Sequence, residues 1–209
     1  SDEYFNLIEK SKQIANANDN AEIGIGIHSL RAVNKNEIIE TDEYNIKKMP
    51  FHIHVSEQLI EVEDCIKKWG ARPVEWLLEN LNLRDHHHLV HATHLNSNEI
   101  KNLAKSNANV VICPITEGNL GDGIFPLTEY QKHNGNWSIG SDSHVNLSPL
   151  EEIRLLDYGQ RLTTHNRNTF TNKSSGNSSL NSFKQMWFNG KKAMGSNRKN
   201  YFEMGQSLD

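Results

Sequence analysis

Cysteine is scarce in this chain. Its 209 residues include two, Cys65 and Cys113, and neither falls in a C-x-x-C or finger-like spacing, which argues against a disulfide framework and a structural zinc cluster. Two solitary thiols fit a reducing compartment, and the cytoplasm is the expected location. Long apolar runs are lacking too. The longest fall far short of the roughly 20 residues that cross a bilayer, so no membrane partner is expected. There is no surplus of positive charge either: 22 Lys and Arg against 26 Asp and Glu give a formal net charge of −4, which removes the electrostatic case for nucleic acid. The opening Ser1-Asp2-Glu3-Tyr4 has neither the basic nor the apolar segment of a signal peptide. Hydrophobic residues make up 36%, low for a globular chain, yet the length suffices for one sizeable core.

What the sequence has in excess is histidine, eleven in all. The stretch that gives them meaning is Phe51-His52-Ile53-His54-Val55-Ser56-Glu57. As a strand it alternates, with His52 and His54 on one face and Ile53 and Val55 on the other. Where the strand ends and the chain turns, Glu57 can return beside His54. A metal-capable imidazole next to a proton-carrying carboxylate is the minimum for metal-assisted hydrolysis.

In chain order, the patterning predicts a helix over 3–17, a strand over 22–27 ending in His28-Ser29-Leu30-Arg31, and a short helix and loop over 34–48. After the 51–55 strand come helices over 57–69 and from Pro73 to Asn80, a strand over 88–92, and a helix over 98–105 capped by Ser97. A strand over 109–113 stops at Pro114, and a long glycine-rich connection is expected over 115–126. A short helix over 127–133, a strand over 137–140 and a helix over 149–163 follow, the last with Ile153, Leu155, Leu156 and Leu162 on or near its inner face. Residues 166–182 read as an exposed loop, Leu180 to Met194 as a last helix, and the tail has no strong pattern. Apolar strands alternating with helices argue an α/β fold with a parallel sheet. The strand ends carry His28, His54, His91 and Asp142, and polar groups gathered at strand carboxyl ends are what a β/α barrel places around its active site.

His91 and His94 lie three apart and cannot both point inward from an extended strand, so His91 is assigned to the site and His94 to a loop or supporting role. The run His86-His87-His88 precedes its strand, which puts it at the opposite barrel end with solvent or packing duty. Asp142, directly after an apolar strand and a glycine, is poorly explained by packing, because burial without a partner costs several kcal/mol. The segment from Glu117 to Gly123 lacks the GKS/T of a phosphate loop and reads as a shaped active-site loop, with Glu117 and Asn119 able to line a pocket. Arg31 offers the fork that carboxylates prefer.

Taken together, HSLRA (28–32), HIHVSEQ (52–58), GARPVEW (70–76), LVHATH (89–94), Cys113-Pro114 with Thr116-Glu117 and NLGDG (119–123), and GSDSH (140–144) resemble the amidohydrolase superfamily, and within it the formimidoylglutamate deiminase branch. The resemblance implies a partial TIM-like (β/α)8 barrel of the metal-dependent hydrolase type. It implies one zinc ion bound by His54 and Asp142, with Glu57, His91 and Asp142 catalytic and with His28 and Arg31 holding the substrate; Glu117 and Asn119, from the loop reading above, are the further substrate-binding candidates. The implied reaction is hydrolysis of N-formimino-L-glutamate, a small acidic amidine, to N-formyl-L-glutamate and ammonia in histidine breakdown; the alternatives are an amidohydrolase deaminase with a different substrate, such as an aromatic base, and a truncated, non-catalytic domain that keeps the scaffold.

The resemblance has one gap. The family's first barrel strand carries an HxH pair that completes the zinc site, and no segment here takes its place; the small β-sandwich is also absent. A complete barrel needs about 250 residues. The expectation is therefore that residues 1–165 form the later portion of a barrel, 166–182 an exposed loop and 183–209 a terminal helix and tail. The zinc site would be incomplete without the missing pair, and self-association into a homo-oligomer could relieve open sheet edges.

Overall fold

The computed structural model describes residues 2–18, 21–170 and 178–196. Five parallel strands, β1 (Ile25–Ser29), β2 (Phe51–Val55), β3 (His87–His91), β4 (Asn109–Ile112) and β5 (Asn136–Ile139), lie side by side in sequence order. Helices α1 (Asp2–Asn16), α2 (Lys35–Tyr44), α3 (Leu59–Trp69), α4 (Pro73–Asn80), α5 (Ser97–Ser106), α6 (Pro114–Leu120), α7 (Leu127–Lys132), α8 (Pro149–Thr164) and α9 (Ser178–Ala193) precede, connect and follow them. Strand order that never reverses is the winding of a β/α barrel rather than of a doubly wound sheet. The architecture is thus a parallel β/α sheet consistent with part of a TIM-like barrel.

Alternation decides which side each residue takes. Phe51, Ile53, Val55, Leu89, Val110, Ile112 and Trp137 are buried to 2% exposure or less beneath the helices, while His52 and His54 are half-buried on the other face. That inner face carries a small apolar cluster, Val90, Val111 and Cys113, and a polar layer nearer the strand starts. In this layer His52 stacks on His88 at 4.7 Å, and Asn109 Nδ2 donates to His88 Nδ1 at 3.2 Å and to Ser138 Oγ at 2.9 Å.

Both outer strands of the sheet have an edge facing away from their neighbours, and a side chain reaches each. The Ile25 amide bonds to Pro50, so the groups of Gly26 point away from β2; the Tyr4 hydroxyl of α1 donates to the Gly26 carbonyl at 2.9 Å. At the far side α9 packs along β5, and Asn189 Nδ2 donates to the Trp137 carbonyl at 2.9 Å.

Several expectations need correction. Residues 115–126 are not one long connection, because Pro114 at the first helical turn starts α6, which Gly121 ends at φ +73°. The cap of α5 is Asn96, whose side chain accepts from the Asn98 and Glu99 amides, and Ser97 is already inside the helix. On α8, Leu155 and Leu162 are exposed, while Glu152 and Gln160 are buried because each bonds a backbone group, Ile115 N and Phe125 O. The 166–182 loop is not wholly exposed: Thr169 and Phe170 are buried, and Phe170 stacks on Trp137 at 5.6 Å. Residues 171–177 of that loop, and the tail beyond 196, lie outside the described residues. His87 and His88 open β3 rather than precede it and are buried; His87 Nε2 donates to Asp42 at 2.8 Å while its Nδ1 accepts the Arg84 amide.

Candidate functional site

The site begins where β2 ends. His54 projects from the inner face, and its Nδ1–H donates to the His28 carbonyl at 2.8 Å. That bond fixes the tautomer and leaves the Nε2 lone pair free for an ion. Ser56 then adopts φ +51°, a left-handed turn that swings Glu57 back across the strand end. One Glu57 oxygen pairs with Arg31 Nη2 at 2.9 Å and the other lies 3.7 Å from His91 Nε2. The turn is held from behind by Glu61, 1% exposed in the first turn of α3, whose two oxygens accept the amides of Ser56 at 3.0 Å and Glu57 at 2.9 Å. Burial raises the Glu61 carboxyl above its ordinary range, against those two hydrogen bonds.

His91 closes β3 at φ +69°, and Ala92 follows at φ +50°. Consecutive left-handed residues at a strand end are strained for non-glycine side chains and aim the imidazole sideways. His91 is 1% exposed, its ring lies 5.7 Å from that of His54, and its Nδ1 lies 3.2 Å from Glu117 Oε1. Burial works to lower its pKa, but the Glu117 hydrogen bond and the charges of Glu117, Glu57 and Asp142 outweigh it and raise the value. His94 points elsewhere: its Nε2 donates to the Asp122 carbonyl at 2.7 Å, and Arg72, itself bound to buried Glu99, holds its backbone carbonyl at 2.6 Å.

Asp142 arrives from the turn after β5, at φ +47°. Thr116 of α6 steadies this turn through Ser141 O at 3.2 Å and Ser143 Oγ at 2.9 Å. Asp142 Oδ1 stands 3.6 Å from His54 Nε2, and one ligand atom from each of His54, His91 and Asp142 lies within 4.8 Å of the others. Ligands on a tetrahedral zinc at about 2.0–2.1 Å stand about 3.4 Å apart, so the His54–Asp142 spacing fits one ion with little movement. Two imidazoles and a carboxylate are also the donor types that zinc takes. Two further groupings are close enough to consider. In His91–Cys113–Glu117 burial pushes the thiol pKa up, away from the thiolate that binds metals; in Asp42–His86–His87 both His87 nitrogens are already hydrogen-bonded.

The structure therefore brings together His54, Glu57, His91, Asp142 and Arg31. His28 also stands there, its ring 5.5 Å from that of His54, and it engages His54 through its backbone carbonyl while its Nδ1 meets Ser29 Oγ. Two expectations separate. Glu117 is 3% exposed behind His91, where it touches that imidazole and the Cys113 amide rather than lining an open pocket. Asn119 is exposed on α6, and two residues along a helix turn about 200°, which sends it away from the face Glu117 uses. Glu61 is not singled out by the sequence, and Thr116 enters only as part of a matched motif, with no role assigned to it. A signal for Glu61 existed, a glutamate four residues past Glu57 at a helix start, but nothing local shows what Thr116 does within its motif.

Residues 3–207 match the family model described as the amidohydrolase family. A formimidoylglutamate deiminase of Pseudomonas aeruginosa is 43% identical over 168 residues, which cover 80% of this chain and 37% of that protein. The crystal structure of an amidohydrolase from Brucella melitensis superposes with a TM-score of 0.86 at 40% identity, over 92% of this chain and 42% of the other. An adenosine deaminase from Xanthomonas campestris with bound zinc shares the fold at a TM-score of 0.78 and 22% identity, over 93% of this chain and 44% of the other. The chain spans well under half the length of each.

Proposed function

The chain belongs to the amidohydrolase family, and on that premise we propose that it carries the catalytic end of a zinc-dependent deiminase acting on N-formimino-L-glutamate. The observation that carries the reading is the meeting of His54 Nε2 and Asp142 Oδ1 at 3.6 Å, with Glu57 and His91 beside them. Similarity to the Pseudomonas aeruginosa deiminase supports the choice of substrate, and so does an arginine at the site, which suits an acidic substrate better than a neutral aromatic base.

In this reading His54 and Asp142 hold one zinc ion, together with ligands from outside this chain. When bound, the ion supplies a Lewis acid that lowers the pKa of water toward neutrality. Asp142, on the water side, accepts the proton that water gives up as its oxygen bonds to the amidine carbon. The amidine enters protonated; Glu57 delivers one further proton to the –NH2 group of the adduct and takes back the adduct's hydroxyl proton, so that the C–N bond breaks, ammonia leaves and the formyl amide remains. His91 orients the attacked centre. Arg31 spends one guanidinium nitrogen on Glu57; its remaining N–H groups can receive the substrate carboxylate, with His28 alongside.

We further take residues 1–165 as the later part of the barrel, the cytoplasm as the location and histidine breakdown as the setting, with self-association as the route by which open edges are covered. The two cysteines are free and buried, as a reducing compartment would leave them. Among the described residues no helix is long and apolar enough to cross a membrane. Ammonia release from N-formimino-L-glutamate, compared with adenosine, tests the substrate. It should be measured for this chain and for one extended to its relatives' length. Release from the acidic amidine alone supports the reading, and release from adenosine alone replaces it with a nucleoside deaminase.

A further inference from the structure

Glu117 is a buried acid whose hydrogen bonds go to a single amide and a single imidazole, and what it does deepens the deiminase reading, on which it rests. Its position follows from the start of α6. Cys113 caps the helix, Pro114 occupies its first turn, and Glu117 reaches back to accept the Cys113 amide at 2.9 Å. The same oxygen, Oε1, lies 3.2 Å from His91 Nδ1. A carboxylate at 3% exposure has no water to turn to, so this pair of donors is what offsets its desolvation. Burial raises the Glu117 carboxyl above its ordinary range, against its hydrogen bonds to His91 and Cys113; Oε1 already accepts the Cys113 amide, so toward the ring it is placed as an acceptor, with Nδ1 as the donor.

We propose that Glu117 is a positioning residue: it holds His91 in the Nδ1–H tautomer and turns the Nε2 lone pair toward the point where His54, Asp142 and Glu57 converge. The other nitrogen looks straight into that space, 3.7 Å from Glu57 Oε1, and the backbone at His91 and Ala92 is strained into the left-handed region to keep it there. With the opposite tautomer Nε2 would present a hydrogen to the centre in place of a lone pair. The arrangement on His91 then parallels the one on His54, where a backbone carbonyl instead of a carboxylate takes the Nδ1 hydrogen. In this way both imidazoles face the shared centre with Nε2, each fixed from behind.

The test is a long-range 1H–15N correlation spectrum of the histidine rings in the metal-free chain, at a pH of about 9 so that imidazoles are neutral, with His91 assigned by its absence in His91→Asn. The expected result is protonation at Nδ1 in the native chain. In Glu117→Gln, where an amide N–H can donate to Nδ1, the proton should move to Nε2 or average between the two. Glu152→Gln, another buried glutamate that bonds only a backbone amide among its described partners, should leave the His91 signals unchanged. Should Glu117→Gln fail to fold, Glu117→Asp, which withdraws the oxygen by one methylene, should show averaging. A His91 ring protonated at Nε2 in the native chain, or one indifferent to either Glu117 change, overturns the proposal. Turnover does not enter this readout: a chain with the expected tautomer shift and no deimination retains this inference and loses the deiminase reading, and the converse result does the reverse.

Discussion

His54 Nε2 and Asp142 Oδ1 stand 3.6 Å apart although they come from β2 and from the turn after β5, with two strands between them. Three steps of about 4.8 Å across a flat sheet would separate them by roughly 14 Å. The meeting is therefore evidence of curvature: the sheet curls about its inner face, as a barrel wall does. Everything proposed for the chemistry depends on that curl, since it gathers donors from four strand ends around one point.

Glu61 holds the turn that places Glu57, and of its two backbone hydrogen bonds the one from Ser56 is buried and the one from Glu57 half-buried. Glu61→Gln should replace one acceptor oxygen with an N–H that faces an amide N–H, at a cost of about 1–3 kcal/mol. Urea unfolding measures it. A midpoint unchanged from the native chain would mean that the turn does not depend on this carboxylate.

Arg31→Met should do more than weaken substrate binding. Because Arg31 pairs with Glu57, its loss also frees the proposed proton carrier, so in an active chain kcat should fall along with a rise in KM for the acidic substrate. A change confined to KM would separate the clamp from the carboxylate it touches.

The polar layer at the strand starts makes the fold acid-sensitive. Burial holds His88 down to about 3 from an ordinary value of 6.5. Between those values the unfolded chain binds a proton that the native chain excludes, so the contribution is fully present above about pH 6.5 and is lost as pH falls toward 3. The slope is about 1.4 kcal/mol per pH unit for one such group. Unfolding midpoints between pH 7 and 4 should fall less steeply for His88→Asn than for the native chain, and parallel slopes would place the acid sensitivity elsewhere.

Asn189 covers the Trp137 carbonyl on the open edge of β5. Asn189→Ala should cost about 0.5–1.5 kcal/mol and, by baring a strand edge, favour self-association. Light scattering after size exclusion checks this, with a shift to larger species expected and an unchanged mass contradicting it.

How much of this was legible in the sequence depends on what each residue needed. The β2 strand and the sidedness of His52 and His54 follow from alternation alone, which the buried helix-facing surface enforces residue by residue. The α6 helix was hidden because Gly118, Gly121 and Gly123 read as loop, although a single proline at the first turn and one glycine in the left-handed region suffice to bracket a helix between them. That error carried into Glu117 and Asn119, which share a pocket on a loop but oppose each other on a helix. The contact of Thr116 with the Ser141–Ser143 turn and the pairing of Arg31 with Glu57 were beyond reach, since both depend on how the turns after different strands approach one another. Leu155 and Leu162 misled because helical periodicity does not say which of two adjacent stripes faces the sheet.

The central claim, that His54 and Asp142 share one cation across the curved sheet, is tested most directly by zinc-edge anomalous diffraction from crystals of this chain soaked in zinc. The expected result is a peak about 2.0–2.2 Å from both His54 Nε2 and an Asp142 oxygen, with His91 Nε2 facing it. Zinc bound elsewhere with these two side chains ordered and clear of it, or a sheet flat enough to hold them apart, would contradict the account.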